Sequence, residues 1–273
     1  MSSAGSLADR VRTRKILCGE MPAFLALAEG AAKAPAVIVV HERYGLTRHI
    51  CELAERFAAD GYVAVAPDLY FRHPDQAALH RGDTGCDVSD PDAVSALASV
   101  IDAVAQETSA DLARLAVMGI CQTARLPLVL AAARPIGAAL VWYGAAQPRE
   151  WQVNPKYPRG LDAIIAAIDC PVLGMFGETD HLISLDDVRR LRECLERHRK
   201  PYEIHVYRDA PHGWLNDTMP GRYRRAQAEA AWALQLAFLE RVLEPGYNRA
   251  RRVQVYECDH SADYDFTKNV RME

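Results

Sequence analysis

Leu115-Ala-Val-Met-Gly119-Ile-Cys121-Gln-Thr123-Ala124 is a short apolar run that turns abruptly into an amphipathic stretch. Residues 115–118 predict a strand and 122–133 a helix, so Gly119 and Cys121 fall on a strand-to-helix corner. Such a corner strains the backbone, requires small neighbours and lifts its central side chain above the sheet. The helix end beneath it favours negative charge, and hence a thiolate. Gly119 and Cys121 fill two of the three places in Gly-x-nucleophile-x-Gly. Thr123 stands at the third, where a β-branched side chain crowds the neighbouring strand, so either the turn opens slightly or Ala124 supplies the space. Taken alone, Gly-x-Cys after a strand fits a buried structural cysteine better than a reactive one.

On either side of this corner the chain repeats the same alternation. An antiparallel pair is predicted near Lys15–Cys18 and Ala23–Ala28, followed by apolar runs at Ala36–Val40, Tyr62–Ala66, Ala138–Tyr143, Val172–Phe176 and Tyr202–Tyr207. These runs are nearly continuous, as expected of strands covered on both faces. Between the first two, Thr47 precedes Ile50, Leu53, Ala54, Phe57 and Ala58 at helical spacing, and Gly61 closes the helix. Asp90-Pro91 opens another, with Val94, Leu97, Ala98 and Ile101 directed inward, and further helices fit Leu185–His198 and Arg222–Leu243. A β-α repeat predicts an α/β fold: a mostly parallel sheet with helices on both faces and its chemistry at the carboxyl ends of the strands. Residues 1–244 read as one domain and 245–273 as a C-terminal extension. In that extension Val253, Val255 and Tyr256 suggest a strand, with Tyr264 and Phe266 as anchors onto the body or onto a second subunit of a homodimer. Residues 148–160, irregular and rich in proline, are either a loop over the site or a plain surface connection.

Two later strand ends change the weight of Cys121. Phe176-Gly-Glu-Thr-Asp180-His181 places an acid beyond one strand, and Tyr207-Arg-Asp-Ala-Pro-His212-Gly213 places a histidine beyond the next. Asp180 alone reads as a turn residue and His212 alone as a satisfied loop histidine. The order nucleophile, acid, histidine, each just past a strand, is far less expected by chance than any one member. His181 has no partner in its immediate sequence. Val40-His41-Glu42-Arg43-Tyr44-Gly45 follows the first parallel strand, where a backbone N–H completes an oxyanion hole; the two donors fall on Arg43 and Gln122. Glu42 at the same strand end is either a solvated charge or a carboxylate that opposes a second negative charge on the thiol.

Composition narrows the partners. The 273 residues are 50% hydrophobic and 25% charged, as in an ordinary globular chain, and the net charge of -4 speaks against a nucleic-acid binder. No run approaches the roughly 18 apolar residues of a membrane span, and the first residues hold no apolar leader core. The cysteines at 18, 51, 86, 121, 170, 194 and 258 are odd in number and lack a CxxC pair, so neither a disulfide framework nor a structural zinc site follows. A cytoplasmic protein acting on a small molecule, without metal or organic cofactor, is the expectation.

HERYGL at 41–46, APDLY at 66–70, the Gly119-x-Cys121 corner, Gly177-Glu-Thr-Asp180 and Pro211-His212-Gly213 together resemble the dienelactone hydrolase family of the α/β-hydrolases. The resemblance covers roughly residues 15–242. It implies hydrolysis of an ester or cyclic enol-lactone through an acyl-enzyme on Cys121, with His212 and Asp180 completing the triad and Glu42 holding or deprotonating the thiol. Family members bind a substrate carboxylate with arginines. One of these lies four residues after the histidine, where this chain has Asn216; Arg72 and Arg81, in the segment after APDLY, are candidates for the other. Tyr44 and Trp214 are the remaining candidate substrate contacts. One rival is a glutamine-amidotransferase-like protein, disfavoured by the DLY segment and by the positions of Asp180 and His212. The other, permitted by Thr123 and the extension, is a non-catalytic homologue that serves as a small-molecule binding or interaction protein.

Overall fold

The structure, a computed structural model, describes residues 11–30, 33–107 and 109–273; the stretch read as lacking a leader begins outside them. Among the described residues nine strands form a single sheet: β1 (Val11–Cys18), β2 (Met21–Ala28), β3 (Ala34–Val40), β4 (Val63–Pro67), β5 (Ala110–Ile120), β6 (Ala138–Trp142), β7 (Val172–Gly177), β8 (Tyr202–Tyr207) and β9 (Gln254–Cys258). Their order across the sheet is β1-β2-β4-β3-β5-β6-β7-β8-β9. Only the pairings β1 with β2 and β2 with β4 are antiparallel. From β4 to β9 every neighbour is parallel, in registers such as Val39 opposite Met118 and Gly119 opposite Val141.

Seven α-helices of the described residues cover the sheet: α1 (Arg48–Ala59), α2 (Gln76–Arg81), α3 (Asp90–Val104), α4 (Leu126–Ala133), α5 (Leu161–Ala167), α6 (Leu185–Arg197) and α7 (Arg225–Val242). Because side chains alternate along a strand, Ile38 and Val40 join Leu97 of α3, Leu128 of α4, Ile164 of α5 and Leu191 of α6 in one core layer. Val37 and Val39 face the other way, onto Ile50 and Phe57 of α1 and Trp232 and Phe238 of α7. The expected sheet with helices on both faces is therefore what the chain builds.

Three details differ from the reading of the sequence. The helix expected at 122–133 is split into a 3-10 turn at Cys121–Thr123 and α4 from Leu126. Pro127 explains the split, since it has no N–H for the Thr123 carbonyl four residues earlier. Cys121 accordingly sits over a single tight turn, and not on the first turn of a long helix. In α3 the inward face is Ala93, Leu97, Val100, Ile101 and Val104, one position away from the expected Val94 and Ala98. The short helices α2 and α5 went unread.

Residues 148–160 are anchored from beneath. Arg125, 1% exposed, donates to both Asp90 oxygens (2.9 and 2.6 Å), to Glu150 Oε2 (2.8 Å) and to the Arg159 carbonyl (3.0 Å). Its guanidinium also lies 4.3 Å from the Tyr157 ring centroid. The segment is fastened to α3 and α4 rather than hanging free over the sheet. The extension packs on the body of its own chain: β9 pairs with β8, and the Leu185 N–H at the start of α6 donates to the Tyr264 hydroxyl (3.0 Å).

Candidate active site

The carboxyl ends of β3, β5, β6, β7 and β8 deliver His41–Arg43, Cys121, Tyr143, Asp180 and His212 to one edge of the sheet. Cys121 has φ +59°, in the left-handed region that a non-glycine residue occupies only when its surroundings impose it. The imposition is visible. A Cβ on Gly119 would come 2.5 Å from the Thr123 carbonyl oxygen, and one on Gly144 only 2.2 Å from the Cys121 carbonyl oxygen. Two glycines on adjacent strands therefore let the corner pass, and the second of them follows β6 rather than the corner itself. Thr123 does not open the turn. Its hydroxyl donates to the His41 carbonyl (2.7 Å) and accepts from the Ile120 N–H (3.3 Å), which ties the corner to the end of β3.

Half-buried Cys121 presents Sγ 3.0 Å from His212 Nε2, and His212 Nδ1 lies 2.8 Å from Asp180 Oδ2. The other Asp180 oxygen accepts the N–H groups of Leu182 (2.7 Å) and Ile183 (3.2 Å). Burial on its own would lower the His212 pKa, but the adjacent charges of Asp180 and Cys121 outweigh it and hold the imidazolium well above its ordinary range. The three residues read from separate strand ends thus form one continuous run of contacts. His181 stands edge-on to the His212 ring at 5.8 Å, with its Nδ1 buried and unpartnered among the described residues.

Glu42 is buried in the same pocket, held by groups that sequence reasoning did not assign to it. Asn216 Nδ2 donates to Oε2 (2.6 Å) and the Tyr143 hydroxyl to Oε1 (3.2 Å). The Asn216 carbonyl oxygen is taken by the Thr218 N–H (3.1 Å) and hydroxyl (2.7 Å), which leaves its amide nitrogen for Glu42. Burial, and then the Glu42 charge, push the Tyr143 phenol far up, so it remains a donor. Tyr143 has φ +36° and its ring meets His212 edge-on at 5.2 Å. The signal for it was a Tyr-Gly pair directly after a buried strand.

His41 braces the loop. It is fully buried; its Nδ1 donates to the Glu42 carbonyl (2.7 Å), its Nε2 accepts from the Leu69 N–H (3.0 Å), and burial lowers its pKa to about 4. The N–H of Arg43 has no acceptor among the described residues, while the Gln122 side chain is turned onto the Cys86 carbonyl (2.8 Å).

The proposed substrate contacts fare less evenly. Tyr44, in the loop after β3, has its hydroxyl 3.4 Å from Arg222 Nη1. Trp214 is 0% exposed and packed against Trp142, Tyr143 and Tyr207, so it has no surface to offer a ligand and serves as packing beneath the site. Arg72 and Arg81, with side chains 75% and 62% exposed, pair with Glu20 and Asp83 on the surface, and neither has a contact with the Cys121–His212–Asp180 run. Arg222 is the guanidinium that the fold does bury here. A Cβ on Gly213 would touch it, and no carboxylate of the described residues pairs with it.

The described residues also bring Asp162, Cys194 and His198 together, away from this pocket. One Asp162 oxygen accepts from the Cys194 thiol (3.3 Å), meets His198 Nε2 (3.2 Å) and pairs with Arg197, and burial pushes that thiol up to about 12. A thiol held protonated is a poor metal ligand, and the group serves to join α5 to α6.

A parallel sheet whose successive strand ends carry a nucleophile-type corner, an acid and a histidine in mutual contact defines the α/β-hydrolase class. The sequence model of the Dienelactone hydrolase family matches residues 21–243, and the chain belongs to that family. It is 35% identical over 225 residues to a protein of Salmonella typhimurium named "Putative carboxymethylenebutenolidase", covering 80% of this chain and 81% of the relative. A crystal structure titled "Putative Dienelactone Hydrolase", from Klebsiella pneumoniae, superposes with a TM-score of 0.75 at 30% identity, over 84% of this chain and 98% of the other. An α/β-hydrolase from a deep-sea metagenome shares the fold at 16% identity and a TM-score of 0.63, over 86% of this chain and 99% of its own. No helix among the described residues is long and apolar enough to cross a membrane.

Proposed function

We propose that the protein hydrolyses a carboxylic ester or lactone through a covalent acyl-enzyme on Cys121. The observation that carries this reading is the unbroken run Cys121 Sγ, His212 Nε2, Asp180 Oδ2, at 3.0 and 2.8 Å. In the proposed sequence the thiolate attacks the acyl carbon, the oxyanion is met by the N–H groups of Arg43 and Gln122, and His212 delivers its proton to the leaving alkoxide. Water then attacks the thioester with His212 as general base, releasing the acid and restoring the thiol. Asp180 keeps His212 oriented. Glu42, fixed by Tyr143 and Asn216, restrains the thiol at rest and accepts its proton when substrate arrives.

A lactone is the favoured substrate type, since relatives carry the name carboxymethylenebutenolidase. An anionic group on that substrate is met by Arg222 with Tyr44, in place of Arg72 or Arg81. The test is turnover of a panel of lactones and short aryl esters by the wild type and by Cys121→Ala. Hydrolysis by the first and its fall by several orders of magnitude in the second is expected; equal rates would overturn the assignment.

A further inference from the structure

We propose that Asn269, carried back to the site by the C-terminal extension, is a positioning residue that fixes the loop bearing Asp180. The inference rests on the triad reading and adds to it a part of the chain that the family match, which ends at residue 243, does not include.

Asn269 Nδ2 donates to two carbonyls of one loop, Glu178 O (3.1 Å) and Asp180 O (3.0 Å). Both partners are acceptors, so only the amide nitrogen can face them. The same loop offers the Leu182 and Ile183 N–H groups to the Asp180 carboxylate. The clamp therefore holds the 178–179 and 180–181 peptide planes and, through them, the direction in which Asp180 points at His212.

The extension grips the same loop a second time. Glu178 is buried, and its Oε1 accepts the Ser261 N–H from the extension (2.5 Å) while Oε2 accepts the Asp209 N–H from the loop that carries His212 (3.0 Å). Burial opposes its charge, but these two donors and the Arg208 charge win, and the carboxyl is held below its ordinary range. Acid loop, histidine loop and extension thus share one carboxylate. Beyond Asn269, residues 270–273 run along the Arg222 loop: Arg222 Nε donates to the Met272 carbonyl (2.7 Å), and a Cβ on Gly221 would meet Glu273 O.

The test compares full-length wild type, Asn269→Ala, Asn269→Asp and, as a control on the exposed face of the same segment, Val270→Ala. Asn269→Asp keeps the shape but turns an acceptor onto two carbonyls, so it tests the contact even where the alanine variant folds poorly. Three readouts are taken: kcat and KM for the best ester, the rate of Cys121 alkylation by iodoacetamide against pH with labelling mapped to its peptide, and the thermal midpoint. With Asp180 loosened the His212 imidazolium loses support, so less thiolate forms near neutral pH and the alkylation profile moves to higher pH. The kcat should fall by about 10- to 100-fold with KM little changed, on the scale that small misplacements cost. Val270→Ala should match the wild type. Alkylation profiles of both Asn269 variants that superimpose on the wild type would overturn the proposal, whatever happens to the thermal midpoint. If the wild type hydrolyses no ester or lactone, the reading of the reaction fails instead, and the alkylation profiles still decide the role of Asn269.

Discussion

Glu42 and Cys121 are the two residues whose coupling is most easily put to a test. The carboxylate is turned onto Asn216 and Tyr143 and the thiol onto His212, so the two acidic groups are held by separate partners. Removing the charge of Glu42 should relieve the opposition to a thiolate. Glu42→Gln is expected to speed alkylation of Cys121 near neutral pH while lowering turnover, because the same carboxylate takes the proton in the proposed reaction. Rate-against-pH profiles identical to the wild type would leave Glu42 as a buried anchor of the loop. Cys121, Asp180, His212 and Glu42 were all legible, since each follows a predicted strand and the chain order is specific. Asn216 and Tyr143 were not, because an uncharged residue carries no chemical signal until the fold shows which group it holds. Trp214 misled for a related reason: its closeness in sequence to His212 says nothing of which side of the backbone it occupies.

Among the helices and loops, Arg125 is the strongest single fastening. It joins α4 to the start of α3 through Asp90 and to the 148–160 segment through Glu150, with both carboxylates buried. Removing the cation leaves buried Asp90 unpaired and Glu150 with only Arg149 at 3.7 Å, a loss that ranges over about 3–5 kcal/mol for a broken buried pair. Arg125→Met should lower the free energy of unfolding by that order, measured by urea titration with far-UV circular dichroism, with Arg134→Met unchanged as the comparison. The strands were readable within two or three residues at most ends because a continuous apolar run in a β-α repeat fits little besides a strand covered on both faces. The starts of β1 and β5 are the exceptions: Arg12, Thr13 and Arg14 precede the apolar run of the first, and Asp111 and Arg114 interrupt that of the second. Helices α2 and α5 escaped because six or seven residues give too short a window for a period of 3.6. The broken helix after Cys121 was legible after all: Pro127 stood in the sequence, four residues beyond the carbonyl it cannot satisfy.

The molecule as a whole should show an asymmetric stability profile set by two buried histidines. His41 stays neutral in the folded chain down to about pH 4, whereas unfolded it takes up a proton below its ordinary value of 6.5. Between those values the unfolded chain binds more protons, so stability falls as pH drops through that window, by up to about 3 kcal/mol from this group alone. His212 runs the other way. Its folded pKa is raised, so its contribution is fully present below 6.5 and is lost as pH rises through the folded value. Urea midpoints from pH 4 to 7 should fall more steeply on the acid side for the wild type than for His41→Asn, which has nothing to titrate there. The extension, too, acts at this scale. The sequence hinted at a strand around residues 253–256, but the return of the chain to the acid loop depends on contacts across the whole sheet, which no local pattern encodes.

The proposed reaction requires the acyl group to pass through Cys121. The protein should be mixed with an activated aryl ester at high concentration, quenched in acid within the first turnovers, digested, and examined by mass spectrometry for acylated peptides. An acyl adduct is expected on the peptide containing Cys121, absent from Cys121→Ala and accumulating in His212→Ala, where deacylation lacks its base. An adduct on any other residue, or undiminished turnover with no adduct in Cys121→Ala, would contradict it.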